Sequence, residues 1–169
     1  MQPINSTSED IDEIFTLYDA AIAYQKTKFH RHWLGFDRHM TETEIQEKRH
    51  WKIMVDDTIA CIWSITYQDP FVWFEKDQDP AIYIHRIVTN PAFSGNNYVK
   101  GIIVWAKEHC KSLGRKYIRI DAYSDNEKLV NYYVKQGFTY LYSKAPEITP
   151  DSPKHYIGIE LALLEIVVE

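Results

Sequence analysis

Apolar and polar positions follow two periods along this chain, and their order sketches the fold. Ile11, Ile14, Phe15, Tyr18, Ala21, Ile22 and Gln25 mark one face at helical spacing. Ser6, Thr7 and Ser8 stand ahead of Glu9 and Asp10 and offer this helix a Ser-x-x-Glu capping box. Thr41 and Thr43, with Glu44 and Gln46 as box partners, predict a short second helix running to about His50. Residues 51–55 and 59–67 read as a hairpin turning at Asp56-Asp57-Thr58. In its second strand both alternating sets are largely apolar, so it is expected inside a sheet and covered on both sides. Between Gln68 and Pro80, two Asp-Pro pairs bracket Phe71-Val72-Trp73-Phe74, which reads as an aromatic loop or irregular edge segment over a cleft.

The densest pattern runs from Ile84 to Phe138. The strand Ala81–Val88 stops at Asn90-Pro91, and Phe93-Ser94-Gly95-Asn96-Asn97 follows, rich in residues that tolerate unusual backbone angles. Val99, Ile102, Ile103, Ala106, Cys110 and Leu113 then recur at helical spacing until Gly114 closes the helix. A strand that feeds a helix N-terminus through such a loop gathers free backbone N–H groups in one place, which suits a phosphate. Tyr117–Ala122 is the next strand. Ser124-x-x-Glu127 opens a helix through Leu129, Val130, Tyr133 and Val134 that ends at Gly137, and strands follow over Phe138–Lys144 and Tyr156–Leu164. The sum is one α/β (α+β) domain over residues 1–169. Its core is a single mixed, mostly antiparallel sheet of six to seven strands flanked by about four helices.

Composition narrows the function more than the fold. The net charge of −5, with no Lys/Arg-rich run, disfavours a nucleic-acid partner. The polar N-terminus and the lack of a long apolar run point away from a membrane and toward a cytoplasmic protein. Cys61 and Cys110 sit in apolar patterns and are expected as buried free thiols. Twelve Tyr and five Trp suit either a core or a ring-lined cleft or interface, which leaves room for a homodimer. His30, His32 and His39 fit no standard ligand spacing, so no metal site is expected.

Asn126-x6-Tyr133-x3-Gly137-Phe138, preceded by Ile118-Arg119-Ile120-Asp121, resembles the second cofactor motif of the GNAT (Gcn5-related N-acetyltransferase) superfamily. Ile84-His85-Arg86-Ile87-Val88, with Asn90-Pro91 after it, is similar to the strand and turn of that family's first motif. The pyrophosphate loop departs from the family's Arg/Gln-x-x-Gly-x-Gly/Ala. Here the run is Ser94-Gly95-Asn96-Asn97-Tyr98-Val99, with Ser94 in place of the basic residue and Asn97 and Val99 at small positions. Asn tolerates left-handed angles better than any residue but Gly.

The resemblance implies acetyl-CoA, or another acyl-CoA, as co-substrate and a small-molecule or peptide amine as acceptor. Ile87, Val88 and Thr89 would pair with the pantetheine arm as an added strand does. Ser94, Gly95, Asn96, Asn97, Tyr98, Val99 and Lys100 would hold the pyrophosphate, and Asn126 and Tyr133 would complete the cofactor contacts. Tyr133 is the expected acid for the leaving thiolate and His85 the expected base, with Asp121, Glu75 or a water chain as alternatives for the base. A catalytically weak or inactive CoA-binding or interaction module is the other reading. A partner-binding protein presenting Phe71–Phe74 is a third.

Overall fold

The computed structural model describes residues 1–169. Its strands are β1 (Ile4–Asn5), β2 (His50–Val55), β3 (Thr58–Thr66), β4 (Ala81–Thr89), β5 (Tyr117–Tyr123), β6 (Thr139–Lys144) and β7 (Leu161–Val167). Its helices are α1 (Ile11–Lys28), α2 (Arg38–Gln46), α3 (Pro70–Trp73), α4 (Tyr98–Ser112) and α5 (Glu127–Lys135). The strands form one seven-stranded sheet in the order β1-β2-β3-β4-β5-β7-β6. The β4–β5 pairing is parallel, whereas β1–β2, β2–β3, β5–β7 and β6–β7 are antiparallel. That is the mixed, mostly antiparallel sheet the periodicity predicts. The chain divides into two compact units, residues 1–65 with 86–102 and residues 66–85 with 103–169.

In the first unit α1 turns Ile14, Leu17 and Tyr18 onto Ile59, Ile62 and Val88, and Phe15, Trp33 and Phe36 extend this cluster. Each fully buried side chain of this size contributes roughly 1.5–3 kcal/mol of transfer free energy. Packing of this face, more than helix propensity, therefore holds α1. The N-terminal box is Thr7 with Asp10, not Ser6 with Glu9. Asp10 accepts from the Thr7 N–H at 2.7 Å and also from Lys52 Nζ at 2.7 and 2.8 Å, so the helical turn is fixed where its carboxylate has two uses.

The second helix also starts earlier than expected. Asp37 caps α2 by accepting from the His39 N–H at 3.1 Å, while Thr41 is buried on the helix's inner face. An Asp cap outranks Thr, and α2 stops at Gln46, so His50 opens β2 instead of closing a helix. β3 is buried on both faces, as its sequence predicts. β1 was not predicted: two residues carry no period, and its place is fixed by pairing with Trp51 and Lys52.

In the second unit the aromatic stretch is ordered, not a loop. Pro70–Trp73 is a helical turn followed by a 3-10 turn over Phe74–Gln78. Val72 and Trp73 pack with Ala81, Tyr83, Leu161 and Leu163. Arg119, fully buried, ties this stretch down by donating to the Lys76 carbonyl at 2.6 Å, Asp79 Oδ2 at 2.5 Å and Glu165 Oε2 at 2.8 Å, with the Trp73 ring 4.8 Å away. The Arg side chain, distant in sequence, is what a local reading of 68–80 lacks.

Asn126 rather than Ser124 caps α5, its Oδ1 accepting from the Leu129 N–H at 3.2 Å; the Ser124 N–H is taken up by the Glu160 carbonyl. The last strand is Leu161–Val167, five residues later than expected at its start, because residues 154–156 form a 3-10 turn and Gly158 takes φ +73°. Cys61 and Cys110 are buried free thiols. Burial pushes the Cys61 thiol up to about 12. No helix is long and apolar enough to cross a membrane.

Candidate acyl-transfer site

β4 and β5 pair in parallel from Ala81–Tyr83 to Tyr117–Arg119. Two residues beyond the last pair stand His85 and Asp121. Side chains alternate along a strand, so these two share the face of Tyr83 and Arg119, which touch there through the Tyr83 hydroxyl at 3.2 Å. Asp69, just ahead of α3, reaches the same spot. Donor atoms of Asp69, His85 and Asp121 all lie within 4.8 Å of one another, a grouping able to hold a metal ion. His85 Nε2 is 3.9 Å from Asp69 Oδ2 and 3.0 Å from the Thr66 hydroxyl. His85 and Asp69 are each 17% exposed, so solvent reaches the cluster.

The electrostatics of this cluster are one-sided. Burial raises the Asp69 carboxyl above the usual carboxylate range, and the negative charges of Asp121 and Asp77 raise it further. Burial also raises Asp121, opposed by a hydrogen bond from the Tyr156 hydroxyl at 3.3 Å. Two carboxyls this close, in partial burial, resist carrying two charges together.

The expected base His85 and its alternative Asp121 are thus brought together, and Asp69 joins them. Glu75, the other alternative, is exposed on the 3-10 turn and lies outside the cluster. Asp69 was missed because Asp-Pro reads locally as a turn. His30 and His39 are exposed, and His32 Nδ1 donates to the Trp33 carbonyl at 2.8 Å.

The first unit carries the phosphate-loop candidates. Asn90 accepts from the Ala92 N–H at 3.0 Å and donates to the Ile59 carbonyl at 2.9 Å, which anchors the end of β4. Asn96 donates to the Phe93 carbonyl at 2.8 Å and folds the loop back on itself. Gly95 takes φ +86° and Asn97 +49°, so Asn97 adopts the left-handed geometry expected of it. Ser94, Gly95, Asn96, Asn97 and Lys100 are exposed, while Tyr98 and Val99 begin α4 with their side chains buried. Val99 therefore points its bulk into the protein, away from the loop's open face. The Lys100 N–H donates to the Asn97 carbonyl at 3.2 Å and the Ser94 N–H to the Pro91 carbonyl at 3.3 Å, and the first turn of α4 presents the positive helix end beside them.

β4 itself is bent at Arg86, which takes φ +52° immediately before Ile87, Val88 and Thr89. This conformation costs a non-Gly residue on the order of 1–2 kcal/mol, and a buried network holds it. The Arg86 guanidinium donates to both carboxylate oxygens of Glu44, to Ser64 Oγ at 2.8 Å and to the Tyr18 hydroxyl at 3.4 Å. The Tyr18 hydroxyl also meets His50 Nε2 at 3.2 Å, and His50 Nδ1 meets Ser6 Oγ at 2.8 Å. Burial and the Arg86 charge hold the His50 imidazole down at about 3. None of Glu44, Arg86, Tyr18 or His50 was singled out from sequence as a site residue. A charged pair 42 residues apart carries no local signal.

Tyr133 sits on the inner face of α5, 8% exposed, edge-on to Phe138 at 5.8 Å between ring centroids. Gly137 takes φ +108°, the turn that brings Phe138 back onto Tyr133. The Asn126…Tyr133…Gly137-Phe138 spacing is thus a physical unit of cap, ring, turn and ring.

Known proteins share this fold. The model of the Acetyltransferase (GNAT) family matches residues 11–138. The chain is 20% identical to the Uncharacterized N-acetyltransferase YesJ of Bacillus subtilis (strain 168) over 141 residues, 79% of this chain and 78% of that protein. Among solved structures it is similar to a GNAT-family acetyltransferase from Listeria monocytogenes 4b F2365, with a TM-score of 0.79 and 23% identity over 98% of this chain and 94% of that one. It is similar in fold to yncA of Salmonella typhimurium, solved with its cofactor acetyl-CoA, with a TM-score of 0.69 and 11% identity over 100% and 94% of the two chains. With the strand–loop–helix and the Tyr133 unit both in place, and the family match spanning most of the sequence, this chain belongs to the acetyltransferase (GNAT) family.

Proposed function

We propose that this protein is an acyl-CoA-dependent N-acyltransferase that moves acetyl from acetyl-CoA to a primary amine of a small molecule or peptide by direct attack. The observation that carries the reading is the loop ahead of α4, where Gly95 and Asn97 both hold left-handed angles. Left-handed residues favour the turned backbone in which neighbouring N–H groups form an anion-binding concavity, and the N–H groups from Gly95 to Val99 would supply it, since those of Ser94 and Lys100 bond the Pro91 and Asn97 carbonyls. Favourable helix-end electrostatics of about 0.3–1 kcal/mol, rising to ~2 when partly buried, add to it. By the family's pattern, Ile87, Val88 and Thr89 pair with the pantetheine arm and Asn126 completes the contacts.

The amine nitrogen attacks the thioester carbonyl carbon, and the Val88 N–H donates to the oxygen that becomes negative. The nitrogen's proton leaves to His85. The C–S bond breaks, and the Tyr133 hydroxyl gives its proton to the thiolate; His85 then loses its proton to solvent and Tyr133 regains one from it, so amine and acetyl-CoA become amide and CoA-SH. Thiol release with an amine panel tests the roles. Tyr133→Phe should slow turnover by about 10²–10⁴-fold at saturating acetyl-CoA. Equal turnover in the variant removes Tyr133 from the mechanism.

A further inference from the structure

Within the Asp69–His85–Asp121 cluster, Asp69 Oδ2 is buried without a hydrogen-bond partner. The backbone N–H of Asp69 is meanwhile taken by Asp77 Oδ1 at 2.6 Å, which adds a third acid nearby. No cation figures among the influences on Asp69 or Asp121. The guanidinium nearest in sequence, Arg119, is already committed to Asp79 and Glu165. The groups facing the pair are the His85 imidazole, the Thr66 and Tyr156 hydroxyls and Asp77. No guanidinium or ammonium stands among these groups, and His85 and Asp69 are each partly exposed.

Spacing bounds which cation fits. Three ligands on one ion at about 2.0–2.1 Å in a tetrahedral arrangement stand roughly 3.4 Å apart. Three acceptors around one ammonium nitrogen, at about 2.7–2.9 Å each, stand roughly 4.5 Å apart. The His85 Nε2 to Asp69 Oδ2 separation is 3.9 Å, between the two rings, and the three donor atoms lie within 4.8 Å of one another, so the spacing admits either cation and the choice falls to the donors that the cation brings. A primary ammonium also brings three N–H donors, one for each carboxylate and one for the imidazole or the Thr66 hydroxyl beside it.

We propose that Asp69 and Asp121, together with His85, are the seat for the acceptor's amino group, which enters as a primary alkylammonium. The inference rests on the acyltransferase reading for its purpose, and it assigns Asp69 a role the family motifs do not give. The carboxyl pair shares a proton before binding. The arriving ammonium replaces that proton's charge, so binding releases about one proton near neutral pH. The amine then becomes nucleophilic when one N–H proton passes back to the pair or to His85.

The probe is n-butylammonium, with the uncharged isostere n-butanol beside it. The readout is the imidazole carbon–proton NMR signal of His85, identified by its loss in His85→Gln. Saturable movement with n-butylammonium is expected, with affinity rising as pH climbs from about 6 to 8, where the pair gives up its proton. n-Butanol should leave the signal in place. Asp69→Asn and Asp121→Asn should each weaken the probe by about tenfold or more, with thermal midpoint and acetyl-CoA affinity held as controls. A His85 signal that ignores n-butylammonium, that follows n-butanol equally, or that moves identically in both Asn variants overturns the proposal. So does Zn²⁺ binding that is lost in the same variants and that shuts out the probe, because the cluster is then a metal centre. Absence of acetyl-CoA binding would count against the enzyme reading alone, since the probe needs no cofactor.

Discussion

Glu44→Gln should be the most destabilising near-isosteric change in the first unit. Glu44 is 3% exposed, and both of its oxygens accept from Arg86 Nη2. Arg86 is 13% exposed, and a second guanidinium, Arg49, stands 4.0 Å from Glu44. The amide keeps the volume and one acceptor, but it removes the negative charge and turns an NH₂ toward a cation. Breaking a buried pair from one side leaves the other charge uncompensated and costs about 3–5 kcal/mol. The hydrogen bonds from Arg86 to Ser64 and Tyr18 survive, which places the expected loss near the lower end, about 3 kcal/mol. Against a typical stability of roughly 5–15 kcal/mol the variant still folds in the cold. Urea unfolding at neutral pH measures the loss as a shift of the midpoint at constant slope. A companion variant, Glu44→Gln with Arg86→Met, should recover at least half of it, because no orphan charge remains. A loss below about 1 kcal/mol for Glu44→Gln, or a double variant no better than the single one, refutes the claim that charge pairing holds Arg86 in its left-handed bend.

His50 gives a pH-dependent counterpart. Its folded-state value of about 3 against 6.5 when unfolded means that only the unfolded chain takes up the proton between those limits. The contribution is complete above the unfolded value and declines as pH falls. The stability difference between wild type and His50→Gln should shrink by about 2 kcal/mol from about pH 7.5 to 5, and a difference independent of pH contradicts the buried neutral imidazole. At the loop, Asn97→Val should cost about 1–2 kcal/mol because a β-branched residue resists φ +49°, while Asn97→Gly should stay within about 0.5 kcal/mol. Thermal unfolding compares the two, and equal losses would mean the left-handed angle is not what the position requires.

Much of the fold was written locally. The face of α1, the hairpin at Asp56-Asp57, the doubly covered β3 and the closure of α4 at Gly114 each follow from periodicity, turn residues and caps within a few positions. The errors share a cause. Thr41 looks like a cap until Asp37 is seen to cap first, and residues 70–79 look irregular until Arg119 is seen to bind the Lys76 carbonyl and the Asp79 carboxylate. The functional candidates of the two units divide the same way. The left-handed Asn97, the Asn126 cap and the Gly137 turn are each local and follow from their own neighbours. The Asp69 contribution and the Glu44–Arg86 support depend on long-range pairing and do not.

The central claim is that this chain binds acetyl-CoA and spends its thioester on an amine. Isothermal titration of the full chain with acetyl-CoA, followed by thiol release on adding primary amines, tests it most directly. The expected result is saturable binding at micromolar to sub-millimolar cofactor, with CoA-SH released only when an amine is present. No heat of binding at millimolar acetyl-CoA would contradict the account at its root, and binding without amine-dependent thiol release would leave a CoA-binding module in place of an enzyme.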